Sequence, residues 1–172
     1  MDPRLYRLAK RVLDLCRARG LHVATAESCT GGLLVAALTA IAGSSDVVEC
    51  GFVTYSNAAK QRMLGVLGTT LRRYGAVSAE TAAAMAKGAL KKSQADITVA
   101  ITGIAGPGDG SKEKPIGLVH FAAVSSGGRI VTRRRLYGPI GRGRVRDRSV
   151  EEALALLALL SKRAKSRRRM LR

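Results

Sequence analysis

An α/β layered domain built on a mixed sheet is the fold class that this sequence predicts. From the N-terminus, segments of helical period alternate with short strand-like segments. Towards the C-terminus, two strand-like runs stand side by side with only Ser-Ser-Gly-Gly between them. Alternation favours parallel strands joined by helices, and a tight turn favours an antiparallel hairpin, so both kinds of pairing are expected in one sheet. A chain of 172 residues that is 47% hydrophobic is long enough for one compact domain and short for two.

Pro3 to Arg19 sets Leu5, Ala9, Val12, Leu13 and Cys16 at helical spacing with Arg and Lys between them, an amphipathic helix ended by Gly20. His22 to Ala26 reads as a short strand. Gly31 to Ala42 is apolar almost all round, which suits a buried or interface helix, and Gly43-Ser44-Ser45-Asp46 closes it. Cys50 to Tyr55 is aromatic and β-branched enough for a second strand, with a short helix from Ala58 to Leu64 after it. Ser78 caps an Ala-rich helix running to about Lys92, with Glu80 in its positive first turn. Ile97 to Thr102 is an apolar strand, and the Gly- and Pro-rich run TGIAGPGDGSKEKPIG after it is a loop. Leu118 to Val124 and Ile130 to Leu136 form the hairpin, and Asp147 or Ser149 begins the last helix. Residues 1–160 are thus expected as one domain, and 161–172 as a basic, flexible tail.

Composition excludes several classes. The longest apolar stretches, Leu33 to Leu38 and Ala153 to Leu160, fall far below the roughly 18 residues needed to span a bilayer. MDPRLYRLAK has no apolar core before a small-residue cleavage site, so no secretory signal is read and a cytoplasmic location is expected. Cys16, Cys29 and Cys50 show no C-x-x-C spacing, which argues against a disulfide framework and a zinc site. The net charge of +18 prompts a search for polyanion partners, but half of the 30 basic residues lie in the last 44 positions. With 3% aromatic residues there are few platforms for base stacking, so nucleic acid is not expected as the functional partner, although the tail can hold it non-specifically.

Three segments could carry chemistry. In TAESCTGG, Thr25 to Gly32, a strand runs into a turn and then a helix, which would set Ser28 beside the free backbone N–H groups of that helix. Gly31 and Gly32 would let a ligand approach the backbone, while the plainer alternative makes Ser28 or Thr30 an N-cap. Ser28 needs a base, and His22 and His120 both read as strand residues. GFVTYSNAAK, Gly51 to Lys60, repeats the strand-turn-helix pattern and offers Tyr55, Asn57 and Lys60. A desolvated lysine there could serve as base if two parallel strands end side by side; otherwise Lys60 is a solvated surface residue. Asn57 is the only asparagine and suits a positive φ in this turn. Thr102 to Gly108 could bring backbone amides to a phosphate, yet lacks the Walker lysine and the Rossmann spacing.

Taken together, TAESCTGGLL, GFVTYSNAAK, the AVSAETA helix start and TGIAGPGDG followed by KPIGLV resemble the C-terminal domain of the competence/damage-inducible protein CinA over about Leu5 to Leu160. The resemblance implies a three-layer α/β/α sandwich, often a homodimer, whose active members hydrolyse the carboxamide of nicotinamide mononucleotide. It implies no metal and no cofactor. It places the family's catalytic serine, tyrosine and lysine on Ser28, Tyr55 and Lys60, with Cys29 as a weaker rival nucleophile. Thr30, Gly31, Gly32, Asn57, Thr102 and Gly103 would line the nucleotide pocket. The chain resembles the free-standing form of the domain, and its GPIGRGRVRDR segment after Tyr137 departs from the family in lacking an acidic residue after a glycine.

Overall fold

A computed structural model of the chain describes residues 2–108 and 110–166. Five strands, β1 (Val23–Glu27), β2 (Val48–Val53), β3 (Ile97–Gly103), β4 (Leu118–Ser125) and β5 (Ile130–Leu136), form one sheet in the order β2-β1-β3-β4-β5. β1 pairs in parallel with both β2 and β3, while β3–β4 and β4–β5 are antiparallel. Among the described residues six α-helices flank the sheet: α1 (Pro3–Arg17), α2 (Leu33–Thr39), α3 (Asn57–Leu64), α4 (Gly68–Tyr74), α5 (Ala79–Lys92) and α6 (Arg142–Ser161). The result is the expected three-layer sandwich on a mixed sheet.

The period of two along each strand sorts the side chains between the layers. Val23, Ile97, Val99, Ile101, Val119 and Phe121 share a core with α1, α2 and α6. The opposite face presents smaller residues, Ala26, Ala100 and Ala122, to Met85, Ala86 and Ala89 of α5 and to Leu64 and Leu71. Small residues on both sides draw α5 close to the sheet, and Gly88 draws it close to α3, because a Cβ there would overlap the carbonyl of Leu64. Ser78 caps α5 as foreseen, its Oγ accepting from the Thr81 amide at 3.1 Å.

Several boundaries differ from the sequence reading. α2 begins only at Leu33, because Gly31 and Gly32 hold φ of 60° and 95°, outside the helical range. Asn57 is the first residue of α3 and not a positive-φ turn residue; Ser56 caps that helix, accepting from the Ala59 amide at 3.0 Å. The seven-residue α4 was not expected. The last helix starts at Arg142 instead of Asp147 or Ser149, extending its buried stripe back to Val145. Of the segment 161–172, Ala164 and Ser166 are buried, and residues 167–172 lie outside the described residues. Among the described residues no helix is long and apolar enough to cross a membrane.

Candidate active site

Three parallel strands end at one edge of the sheet, and the loops after them build the site. The ladder runs one residue beyond β1 on both sides: the Ser28 amide donates to Ile101 O at 3.0 Å, and the Thr54 amide to Glu27 O at 2.8 Å. Ser28 is therefore held on rigid backbone between β2 and β3. α3 then returns Lys60 to the same point.

Lys60 is 1% exposed. Its Nζ stands 3.0 Å from Ser28 Oγ, 2.9 Å from Thr54 O and 3.2 Å from Tyr55 O. No ion pair among the described residues includes it. Burial without a carboxylate disfavours the ammonium, so its pKa lies below the usual 10.5; the nearby Cys29 opposes this only in part. The three contacts suit a neutral amine, which can donate two N–H bonds to the carbonyls and accept the Ser28 hydroxyl on its lone pair. Lys60 is thus a buried partner of Ser28 and not a solvated surface lysine.

The strand-to-helix turn differs from expectation in one respect. The N–H groups at the start of α2 do not face a ligand. Glu27, fully buried, takes them: its carboxylate accepts from the amides of Gly32, Leu34 and Val35 at 3.1, 3.0 and 2.9 Å, and from Thr25 Oγ1 at 3.3 Å. Neither Ser28 nor Thr30 caps the helix, whose N-cap is Gly32. Among the described residues, the amides of Cys29 and Thr30 are not taken by another residue, and that of Cys29 faces only its own Sγ. Engaged by α2, the Glu27 carboxylate forms no ion pair with Lys60.

A cleft of about 290 Å³ opens over this pair, lined by Ser28, Cys29, Tyr55 and Lys60, by Ala76 and Val77 before α5, by Thr102 to Gly106 and Gly108, and by Arg142. Of the residues singled out from sequence, Ser28, Tyr55, Lys60, Thr102 and Gly103 line it. Thr30, Gly31, Gly32 and Asn57 do not. Thr102 Oγ1 donates to Ala76 O at 2.7 Å, tying β3 to the loop before α5. Gly103 is required by packing: a Cβ there would stand 2.7 Å from Leu118 O. Cys29 is 6% exposed, and burial pushes its thiol up to about 12, so it is protonated near neutral pH and poorly suited to attack. Among the described residues no cluster of His, Cys, Asp or Glu is placed to hold a metal ion.

Arg142 was missed from the sequence. It opens α6 and bridges two loops, donating from Nη2 to Tyr55 Oη at 2.9 Å and from Nη1 to Gly106 O at 3.0 Å. Tyr55 is 59% exposed at the rim of the cleft and keeps its own hydroxyl proton for donation. One helical turn on, Arg146 donates to Thr30 O at 2.7 Å, fixing the loop after Ser28. Part of the basic C-terminal quarter therefore reaches the site in space. The available signal was Val145, which continues the apolar stripe of Ser149 and Ala153 backwards by one turn.

With this geometry in view, the relatives are informative. The model of the CinA C-terminal domain family matches residues 5–160. The protein named nicotinamide-nucleotide amidohydrolase PncC of Escherichia coli (strain K12) is 48% identical over 156 residues, spanning 91% of this chain and 94% of that one. A CinA-like protein of Synechococcus sp. (strain RCC307) is 50% identical over 152 residues, which is 88% of this chain but 36% of that longer protein. The crystal structure of competence/damage inducible protein CihA from Agrobacterium tumefaciens superposes with a TM-score of 0.90 at 53% identity, covering 91% of this chain and 94% of that one. On the family match and these identities, the chain belongs to the CinA C-terminal domain family.

Proposed function

We propose that this protein hydrolyses the carboxamide of nicotinamide mononucleotide to nicotinate mononucleotide and ammonia, with Ser28 as nucleophile and Lys60 as its base. The observation that carries the reading is the 3.0 Å contact between Lys60 Nζ and Ser28 Oγ, made by a buried amine whose pKa is lowered by desolvation. The name of the 48% identical Escherichia coli relative supplies the substrate.

Ser28 Oγ attacks the amide carbon as its proton passes to the Lys60 amine. The oxyanion of the tetrahedral intermediate is held by the backbone N–H after Ser28, that of Cys29, which lines the cleft and is not taken by another residue among the described residues. Collapse breaks the C–N bond. The leaving nitrogen takes a proton from the Lys60 ammonium, with the Tyr55 hydroxyl relaying or supporting it, and departs as ammonia. Water then attacks the Ser28 ester, giving its proton to Lys60; the acid leaves, and Ser28 regains its hydrogen. Thr102 and Gly103 lie along the nucleotide in this reading, whereas Thr30, Gly31, Gly32 and Asn57 act on the pocket from outside its lining. As part of the same reading, the enzyme serves pyridine nucleotide salvage in the cytoplasm as a homodimer, without a cofactor.

Incubation with nicotinamide mononucleotide should yield ammonia and nicotinate mononucleotide in equal amounts. Absence of both products across pH and temperature would refute hydrolysis and leave nucleotide binding without turnover.

A further inference from the structure

The end of the sheet opposite the cleft carries a concentration of unpaired positive charge that hydrolysis does not use. β3 starts there, about 17 Å from the level of Ser28, which stands beside Thr102 five residues along the strand. Hydrogen bonds gather distant parts of the chain at this end. The Ser126 amide donates to Asp96 O at 2.8 Å, placing the β4–β5 turn beside the start of β3. Ser126 Oγ donates to Lys165 O at 3.3 Å, and Arg19 Nη2 to Ala164 O at 3.0 Å, strapping the chain after α6 across the turn and against the end of α1. α5 also ends here.

The exposed cations brought together are Arg19, the Lys91–Lys92 pair, Arg129, Lys162, Arg163 and Lys165. None takes part in an ion pair among the described residues. The acids near this end are otherwise engaged: Asp14 and Asp46 both pair with Arg17 in the last turn of α1, Glu49 stands on the β2 edge beyond β1, and Asp96 is buried and accepts from the His22 amide. Cations at helix C-termini are ordinary, since they complement the helix dipole. Three helix ends, a turn and a strap converge here, and because Asp14 and Asp46 are both taken by Arg17 in the last turn of α1, these seven cations are left without an acidic partner among the described residues, which exceeds that requirement.

We propose that this face binds the phosphate backbone of double-stranded nucleic acid without reading its sequence. The charge is spread over a surface drawn from separate elements, unlike the single amphipathic helix that lies in a membrane interface. The chain has no Trp to anchor in lipid and few aromatic residues to stack on unpaired bases, so backbone contact to a duplex is the mode that fits. Because the face lies opposite the cleft, binding leaves turnover unchanged.

The test is fluorescence anisotropy of the full chain with two short labelled duplex DNAs of unrelated sequence, over a range of salt. Engaging roughly five or six phosphates gives log K against log salt a slope of about −5, the same for both duplexes. The triple variant Arg129→Glu, Lys162→Glu, Arg163→Glu should bind at least about tenfold more weakly, while Arg62→Glu, Arg72→Glu, Arg73→Glu, with the same change in net charge, should lose less than about threefold. Circular dichroism checks that both are folded. Equal losses in the two variants would overturn the proposal, because the attraction would then belong to the whole molecule. So would a strong preference for one duplex, no binding at low salt, or tighter binding to vesicles of anionic phospholipid than to DNA.

Discussion

Lys60 Nζ lies 3.0 Å from Ser28 Oγ across 32 residues of sequence, and the lysine is one of the largest fully buried side chains in the molecule. Desolvation disfavours a charge in such a place without a carboxylate, so the Lys60 amine is shifted toward its neutral form. That is the condition a base for serine requires.

The pH dependence follows with a definite sign. The working form of Lys60 is the neutral amine, and burial lowers its pKa below 10.5. Activity on nicotinamide mononucleotide should therefore rise with pH through a limb centred below that value. Lys60→Arg, which cannot lose its proton near neutrality, should abolish the limb and reduce kcat by roughly 10³-fold or more. A wild-type profile flat from mildly acidic to alkaline pH would contradict the assignment.

Cys29 stands next to Ser28 in the same cleft, but its thiol is pushed up to about 12 by burial. Cys29→Ala should keep kcat/KM within about tenfold of wild type, since no bond to the substrate is lost. Loss of turnover in a folded Cys29→Ala protein would transfer the nucleophile to the sulfur.

Glu27 closes the N-terminus of α2 with both carboxylate oxygens. In Glu27→Gln one oxygen becomes an NH₂ group facing amides that also donate, which should cost about 1–3 kcal/mol. Urea denaturation should show a lower midpoint with an unchanged slope. A stability equal to wild type would mean that the helix start does not depend on this carboxylate.

Gly88 lets α5 pass the carbonyl of Leu64. Alanine there gains up to about 1 kcal/mol of helix propensity, but overpacking against backbone costs about 1–3 kcal/mol or more, so net destabilisation is expected. Thermal unfolding should occur a few degrees lower; an increase would show that α3 and α5 separate easily.

Where local pattern and tertiary role coincide, the sequence was legible. β3 and the β4–β5 hairpin stood out through apolar runs and turn residues, and α5 through Ser78 and its alanines. The strand-turn-helix pattern made Ser28 and Lys60 candidates beside the plainer readings of a capping serine and a solvated lysine, and the family resemblance gave them their roles; the structure brings the two together because parallel strands bring their trailing loops together. α4 was not legible: it has seven residues, no side-chain cap and one buried residue, Leu71. The first turn of α6 was hidden because GRGR reads as loop. Instead of a side-chain cap, Arg142 and Arg146 bond to Gly106, Tyr55 and Thr30, residues far away in sequence. The same long-range contacts concealed Arg142 as a cleft residue. Glu27 shows the converse error, since a free helix N-terminus inferred from local pattern is already filled by the residue before Ser28.

Replacing Ser28 tests the account most directly. Ser28→Ala removes one hydroxyl from a residue that is 8% exposed and should leave the fold intact by circular dichroism and thermal unfolding. Ammonia release from nicotinamide mononucleotide, followed under conditions where the wild-type protein turns over, should fall by roughly 10⁴-fold or more. Deamidation by folded Ser28→Ala at a rate near that of the wild type would contradict the account.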